Sequence, residues 1–407
     1  MSEDLALRGP RLGAGWQPSA EIDRDSLAAE IRDRRRRLDE AMRRHDLDGV
    51  VVASEANCVY LTGYQTTFWG NKSKPFAVVL AAGEQPRVVC HLGEVPSVER
   101  DAVDVSIEPY AGPVNVAATG VQLDYQLPAA AEVARVISSL GLRRIGFELS
   151  WHFLPGFTPG AFDQLRNDLG AAEICDASAA IWSLRRAKSE WEIAQMRVAV
   201  AVCEQAHRAF EEAAHPGLTE RELNRLLIVC AFDAGAERVG YSGIVAGIDR
   251  APLGGPTDRR WERDQLLMAD ICLQVNGYFA DFNRILAGAP QRAAALRAYS
   301  ELVEALEQAR AVLRPGASVR TVADALTGGA AGPYARVGHG LGLEMPEPPS
   351  LSLDDDSVLI PGEVLCLEPN RHVAGVGWLV GEEEVVVTSD GFELLSPPFP
   401  ATMPEVG

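Results

Sequence analysis

Two hydrophobic periods alternate along the chain, and the changes between them mark its elements. Over residues 21–48, Ile31, Leu38, Met42 and Leu47 recur at helical spacing among Arg, Asp, Glu and Ala, which predicts an amphipathic helix. The RDRRRR run at 32–37 reads as the solvated face of that helix. The apolar run at 48–53 predicts a buried strand, and 57–62 a turn running into another. Residues 76–82 and 87–92 predict strands paired across Ala-Gly-Glu-Gln-Pro, 129–142 a helix and 144–148 a strand. Strands alternating with helices define an α/β unit, which ends near 178–183.

A second unit opens at Ser189. Ser189-Glu190-Trp191-Glu192 fits a capping box, in which hydroxyl and carboxylate satisfy orphan amides reciprocally. The helix behind it runs toward Ala214, where Pro216-Gly217 stops it. Thr219-Glu220-Arg221-Glu222 starts another helix. An apolar run at 239–246 follows, then a hairpin at 266–286, a helix from Gln291 toward Leu313 ended by Pro315-Gly316, and a short helix at 318–326. Beyond it the chain is rich in Gly and Pro and mostly strand. The expected organisation is a polar lead-in at 1–20, an α/β domain at 21–183 and a second domain at 184–407. There is no repeat of solenoid period, no GxGxxG and no Walker-type loop.

The hairpin, LLMADICLQVNGYFADFNRIL, is the stretch with the most chemistry. Asn276-Gly277 suits a type I′ turn, whose two central residues need positive φ. A two-residue turn pairs Val275 with Tyr278, Cys272 with Asp281 and Asp270 with Asn283. Asp270 and Asp281 are then diagonal neighbours on one face, roughly 7–8 Å apart at Cα. Two such carboxylates repel unless a proton or a cation lies between them, and hard divalent cations prefer oxygen ligands. Two surface aspartates are the plainer alternative, but the strands read as buried, where unpaired carboxylates are costly.

Composition narrows the partners. The 407 residues carry a net charge of −19, which argues against nucleic acid and anionic membrane. Apolar residues make up 47% and charged residues 23%, an ordinary globular balance for two or three domains. No stretch is long and apolar enough to span a bilayer, and residues 1–20 lack an apolar signal core. The seven cysteines are scattered and form no CxxC, which points to a reducing cytoplasm.

Further candidate ligands lie downstream. His339 stands among glycines in Gly338-His339-Gly340-Leu341-Gly342, where backbone can approach a ligand closely; metal ligand and structural histidine are both open. Glu368 closes an apolar strand just before Pro369. Glu382, Glu383 and Glu384 precede a valine run, with Glu382 and Glu384 on one face; a surface acidic run is the alternative reading.

In order, Asp270, Asp281, His339, Glu368 and Glu382 sit in contexts that resemble the pita-bread metallopeptidase superfamily of Xaa-Pro dipeptidases, aminopeptidases and creatinase. Those contexts are NCVYLTG at 57–63, WSLRRAKSEWEIAQM at 182–196, DICLQVNGYFADFNR at 270–284, GHGLGLE at 338–344, CLEPN at 366–370 and EEEVVVTSDGFELL at 382–395. The resemblance implies an α/β (α+β) chain with an N-terminal creatinase-type domain and a C-terminal pita-bread catalytic domain. It implies that the five residues hold two divalent ions (Mn, Co, Fe or Zn). Asp281 and Glu382 would bridge, and a shared hydroxide would be the nucleophile. Glu382 is chosen by counting back from Val387-Thr388. Creatinase, of the same fold, uses no metal. A homodimer is also implied, with Tyr64 and Trp69 as candidates for a wall that the N-terminal domain of one subunit lends to the other's substrate site. Glu344 is a further candidate for substrate binding.

The chain also departs from that family. A histidine expected near 251–259 is missing, Pro346 stands where a second histidine belongs, and Val380 replaces an arginine that would hold a substrate carboxylate. Pro and Val neither donate protons nor dock anions. His372 is a candidate replacement for a lost proton shuttle, and Arg284 for ordering Asp281 or docking an anion. Three functions stay open: a metal-dependent hydrolase of a C–N bond in a small peptide or creatine-like substrate, a lyase or biosynthetic enzyme acting on a small carboxylated metabolite, and a non-catalytic binding module.

Overall fold

A computed structural model describes residues 22–70, 73–116, 121–150, 156–247, 254–328 and 336–406. The proposed lead-in at 1–20 lies outside the described residues. The chain separates into two compact units, one of residues 22–185 and one running from Arg186 onward. Among the described residues no helix is long and apolar enough to cross a membrane.

The first unit is built on a six-stranded sheet in the order Ser106–Tyr110, Arg87–His91, Ala77–Ala81, Gly49–Val52, Arg144–Phe147, Glu173–Asp176. Gly49–Val52 is buried throughout, as its Val run predicts, and pairs antiparallel with Ala77–Ala81 and parallel with Arg144–Phe147. Residues 57–62 are not a turn and strand. They belong to a helix, Glu55–Thr62, capped by the Ser54 hydroxyl and ended at Gly63 with φ 71°. The buried Glu148 carboxylate accepts from the amides of Ala53 and Ser54 and from the Asn57 side chain, placing a negative charge at the helix N-terminus.

The arginine run is not a plain solvated face either. Arg34 is only 2% exposed, paired with Glu30 at 2.8 Å, and its guanidinium lies 4.4 Å from the centre of the Tyr60 ring. Arg35 donates to the carbonyls of Leu61 and Val103. The run therefore fastens the helix Arg24–Arg44 to the helix Glu55–Thr62 and to the loop at Val103.

The second unit begins with the helices Glu190–Ala213 and Glu220–Ala234, both opened by complete capping boxes at Ser189 and Thr219. A three-stranded antiparallel sheet follows, Tyr278–Ala287 beside Leu266–Val275 beside Arg238–Ala246. The turn has the expected positive φ at Asn276 (53°) and Gly277 (83°), and the register is the expected one: Val275 with Tyr278, Cys272 with Asp281, Asp270 with Asn283. One face of this hairpin packs Ile271, Phe282 and Leu273 into a core with Phe210, Leu223 and Leu227 of the two helices.

A five-stranded sheet runs Glu347–Ser352, Arg336–Gly340, Val364–Leu367, Glu383–Val387, Phe392–Leu394, and a two-stranded ribbon pairs Asn370–Val373 with Gly377–Val380. The two share one register. Val364 pairs with Val386 and Leu367 with Glu383; Asn370 then pairs with Val380 and Val373 with Gly377. Between them Gly381 donates to the Pro369 carbonyl at 3.1 Å, while Pro369 has no N–H to return. Glu368 therefore lies across from Glu382. Successive side chains alternate faces, so one face of the long ribbon carries, rung by rung, Cys366 and Glu384, Glu368 and Glu382, Asn370 and Val380, His372 and Trp378. The other face sends Leu365, Leu367, Val385 and Leu379 into a core with the helix Ala293–Val312.

Candidate metal centre

The hairpin turn fixes Asp270 and Asp281 on one face, and the ribbon brings Cys366, Glu368, Glu382 and Glu384 against it. The Asp281 amide donates to Glu384, and the Cys366 thiol donates to the Asp281 carbonyl at 3.3 Å. Two groups of donor atoms result, each with its members within 4.8 Å of one another: Asp270, Asp281 and Glu382, and Asp281, His339, Cys366 and Glu368. Asp281 belongs to both. His339 Nε2 lies 2.7 Å from Glu368 and 3.5 Å from Asp281. Its Nδ1 faces the Gly340 carbonyl at 2.8 Å, an acceptor, so that nitrogen carries a proton. A ring anchored in this way presents Nε2 to a ligand, as metal-binding imidazoles do.

The electrostatics record the crowding. Burial, reinforced by Asp281 and Glu368, pushes Asp270 well above the ordinary carboxylate range. Burial, with Asp270 and Asp281 beside it, does the same to Glu382. Burial also raises Asp281 and, strongly, Glu384. His339 is pulled down by burial, but Glu368 and Asp281 outweigh it and push it up to about 10. Glu368 moves the other way, because the His339 charge overcomes the cost of burying it.

Several buried oxygens here have no hydrogen-bond partner among the described residues: Asp270 Oδ1, Asn283 Oδ1, Glu382 Oε2 and Glu384 Oε2. All are acceptors. A buried polar atom without a partner is costly, and a cluster short only of positive charge is satisfied by protons or cations. The donor set, mainly carboxylate oxygens with one imidazole, suits divalent ions of the Mn, Co, Fe or Zn kind.

Three neighbours complete the cluster; the sequence sets Glu384 on the face of Glu382 but does not single out Asn283 or Cys366. Asn283 donates from Nδ2 to Glu382 Oε1 at 3.0 Å and so orients that carboxylate. Hairpin register already sets it opposite Asp270, which was the available signal. Cys366 and Glu384 follow from alternation, two residues from Glu368 and Glu382.

Other expected site residues lie elsewhere. Arg284 is on the opposite face of its strand from Asp281, its guanidinium 4.8 Å from the Phe282 ring centre and bonded to the Asn283 carbonyl at 2.7 Å. It makes no ion pair with a cluster carboxylate among the described residues, so it does not order Asp281. His372 is exposed, against Trp378 with ring centres 4.9 Å apart. It shares the face of Glu368 but stands four residues along, roughly 13 Å at strand rise, beyond proton-transfer reach. Glu344 is half-buried outside both donor groups, its amide donating to Glu347, which is itself buried and paired with Lys188 at 2.9 Å. Tyr64 is buried within the first unit and stacked on Phe76 at 5.3 Å, a core position rather than an open wall; Trp69 is half-buried, edge-on to the same ring. Of the histidine-free segment, 251–253 lie outside the described residues.

Comparison with known proteins agrees with this architecture. Residues 194–389 match metallopeptidase family M24, and residues 34–187 match the creatinase/prolidase N-terminal domain. The uncharacterized peptidase YqhT of Bacillus subtilis is 25% identical over 354 residues, 85% of this chain and 92% of that protein. An Xaa-Pro dipeptidase from Bacillus anthracis shares the fold with a TM-score of 0.79 at 22% identity, covering 92% of this chain and all (100%) of the other. The prolidase of Pyrococcus horikoshii OT3 does so with a TM-score of 0.75 at 21% identity, covering 90% and 98%. The chain belongs to the pita-bread superfamily of metallopeptidase family M24, with a creatinase/prolidase-type N-terminal domain.

Proposed function

We propose that this chain is a metal-dependent hydrolase that cleaves a C–N bond of a small peptide or creatine-like substrate, with Asp270, Asp281, His339, Glu368 and Glu382 as ligands of two divalent cations. The observation that carries this reading is the pair of donor groups sharing Asp281, with acceptor oxygens left unpartnered between them. Divalent cations in such a cradle supply Lewis acidity and lower the pKa of a coordinated water. The protein's own part is to hold the cradle. Asn283 orients Glu382, Glu384 fixes the backbone at Asp281, and the Gly340 carbonyl fixes the His339 ring.

The metal-bearing domain is taken as 184–407 and the N-terminal domain as 21–183. The cysteines are all free, in keeping with a reducing cytoplasm. We place the chain in a homodimer; a monomer by light scattering at micromolar concentration would overturn that. A lyase or biosynthetic reaction on a small carboxylated metabolite is the second reading, favoured by Pro346 and Val380, which supply neither proton donor nor cation. Elemental analysis of the purified chain, followed by product identification from a substrate panel with and without chelator, tests both. A chain that takes up no divalent metal and turns over unchanged in chelator would overturn the metal-dependent reading.

A further inference from the structure

One rung beyond the candidate ligands the ribbon carries a side chain that binds nothing among the described residues. Asn370 is 6% exposed, and its Oδ1 is buried without a hydrogen-bond partner. Its Nδ2 makes no hydrogen bond either, among the described residues. Continuous register puts Asn370 on the face of Glu368 and Glu382 and directly across from Val380. That pair is flanked by the bonded rung of Pro369 and Gly381, so it is of the close, non-hydrogen-bonded kind. A buried amide with no partner costs free energy, and strand Asn370–Val373 gives it no structural duty. It is not required for the turn or for the ladder.

Across the neighbouring strand stands a charge in the same condition. Glu368 donates its amide to the Val337 carbonyl at 2.9 Å, and Arg336 begins that strand one residue earlier. Arg336 is half-buried, and its guanidinium has no ion pair or hydrogen bond among the described residues. It is near enough for its charge to act on both Asp281 and Glu368. The other cation close to the cluster, Arg284, is committed to the Asn283 carbonyl and the Phe282 ring. Glu368 thus has an amide two residues along its own strand and a guanidinium on the neighbouring strand, neither with a hydrogen-bond or ion-pair partner among the described residues.

We propose that Arg336 and Asn370 form the substrate-docking pair of this site, and that they hold an amino-acid-like end group, a carboxylate with an N–H beside it. The inference rests on the reading of the cluster as a catalytic metal centre. Arg336 offers a donor fork that matches a carboxylate. Asn370 donates from Nδ2 to the same group and accepts the adjacent N–H at Oδ1, which satisfies both of its atoms. Val380, directly across the ribbon, is 8% exposed and packs in the same core as Leu379. A proline at this position has no N–H when acylated, so an Xaa-Pro substrate leaves Oδ1 unsatisfied. The pocket is therefore built for a residue other than proline on the leaving side of the bond.

Ligand-observed NMR titration of the Mn²⁺-loaded full chain tests this with three probes: N-acetylglycine, N-acetylglycinamide and N-acetyl-L-proline. A charge-assisted bond to a buried partner predicts that the acid binds about tenfold or more tighter than the amide. N-acetyl-L-proline should bind several-fold more weakly than N-acetylglycine. Arg336→Gln should erase the preference for the acid. Asn370→Asp, nearly the same shape, should reverse it, and Asn370→Gly should remove the discrimination against proline. Equal binding of acid and amide, an Arg336→Gln chain that keeps the preference, or no binding of N-acetylglycine below about 10 mM would each overturn the proposal. Metal content measured on the same samples is read separately. A chain with full metal and no acid preference refutes the docking pair alone, whereas a chain that takes up no metal refutes the function it rests on.

Discussion

Loading the cluster with a divalent ion should expel protons. In the metal-free chain, burial and neighbouring carboxylates keep Asp270 and Glu382 protonated well above their ordinary range, and the ring of His339 titrates at about 10. The imidazole holds a proton at neutral pH, the two carboxyl groups keep theirs to higher pH than ordinary carboxyls do, and each group must release its proton to ligate. Each proton displaced steepens the pH dependence of apparent affinity by about tenfold per pH unit. Affinity for Mn²⁺ should therefore rise by at least about tenfold between pH 6 and pH 7 through His339, and more steeply the further the two carboxyl groups are raised.

Stability follows with a fixed sign. A carboxyl group whose folded pKa is raised stabilises the folded chain fully below its unfolded pKa, near 4, and that contribution is lost as pH rises through the folded value. The chelator-treated chain should thus lose stability from mildly acid toward neutral pH. The raised His339 adds to this only later, since its contribution is complete below an unfolded value near 6.5 and fades as pH passes about 10. Mn²⁺ should restore most stability where the loss is greatest. Titration calorimetry in two buffers of different ionisation enthalpy counts the protons, and thermal unfolding with and without chelator follows the stability. Release of fewer than one proton, or a melting temperature that falls equally with pH in Mn²⁺ and in chelator, would refute the crowding argument.

Asp281→Ala should abolish activity and at least one metal equivalent, because it removes a donor from both groups; unchanged metal content by elemental analysis would count against a shared ligand. Lys188→Met strands the buried Glu347 carboxylate and should cost about 3–5 kcal/mol, whereas Lys188→Met combined with Glu347→Leu should regain most of it in urea unfolding. Pro346→His should give no Xaa-Pro cleavage and should harm the native activity, although a well-placed general acid is worth about 10²–10⁴-fold elsewhere. Efficient Xaa-Pro cleavage by the unaltered chain would show that the pocket tolerates proline after all.

What could be read from the sequence was what local rules determine. Asn276-Gly277 pins a turn, the turn pins a register, and the register puts Asp270 diagonal to Asp281. Ser189 and Thr219 announce their helices by chemistry contained within four residues. The misreadings came from distant partners. The helix at Glu55–Thr62 depends on a carboxylate more than ninety residues away, at Glu148, and no local pattern reports it. Arg34 turns inward because Glu30 and Tyr60 wait there. Arg284 was paired with Asp281 by proximity in sequence, where strand alternation sends it to the other face. Asn370 and Cys366 escaped notice because their significance depends on the pairing of two strands whose register is set only when the ribbon closes.

The long ribbon has a consequence for how such a protein changes over evolutionary time. Its rungs are physically graded: the innermost are buried carboxylates, the next is a neutral pair, and the outermost is an aromatic pair open to water. Substitution on one of these rungs leaves the ladder in place, because the backbone bonds are made on the alternate rungs, such as Gly381 to Pro369. The residues that decide which molecule enters can therefore drift by single steps while those that hold the centre stay fixed. A scaffold of this kind invites divergence of substrate within a constant apparatus, and mutational libraries confined to 370, 372, 378 and 380 should recover new specificities at far higher frequency than libraries of equal size placed on the hairpin.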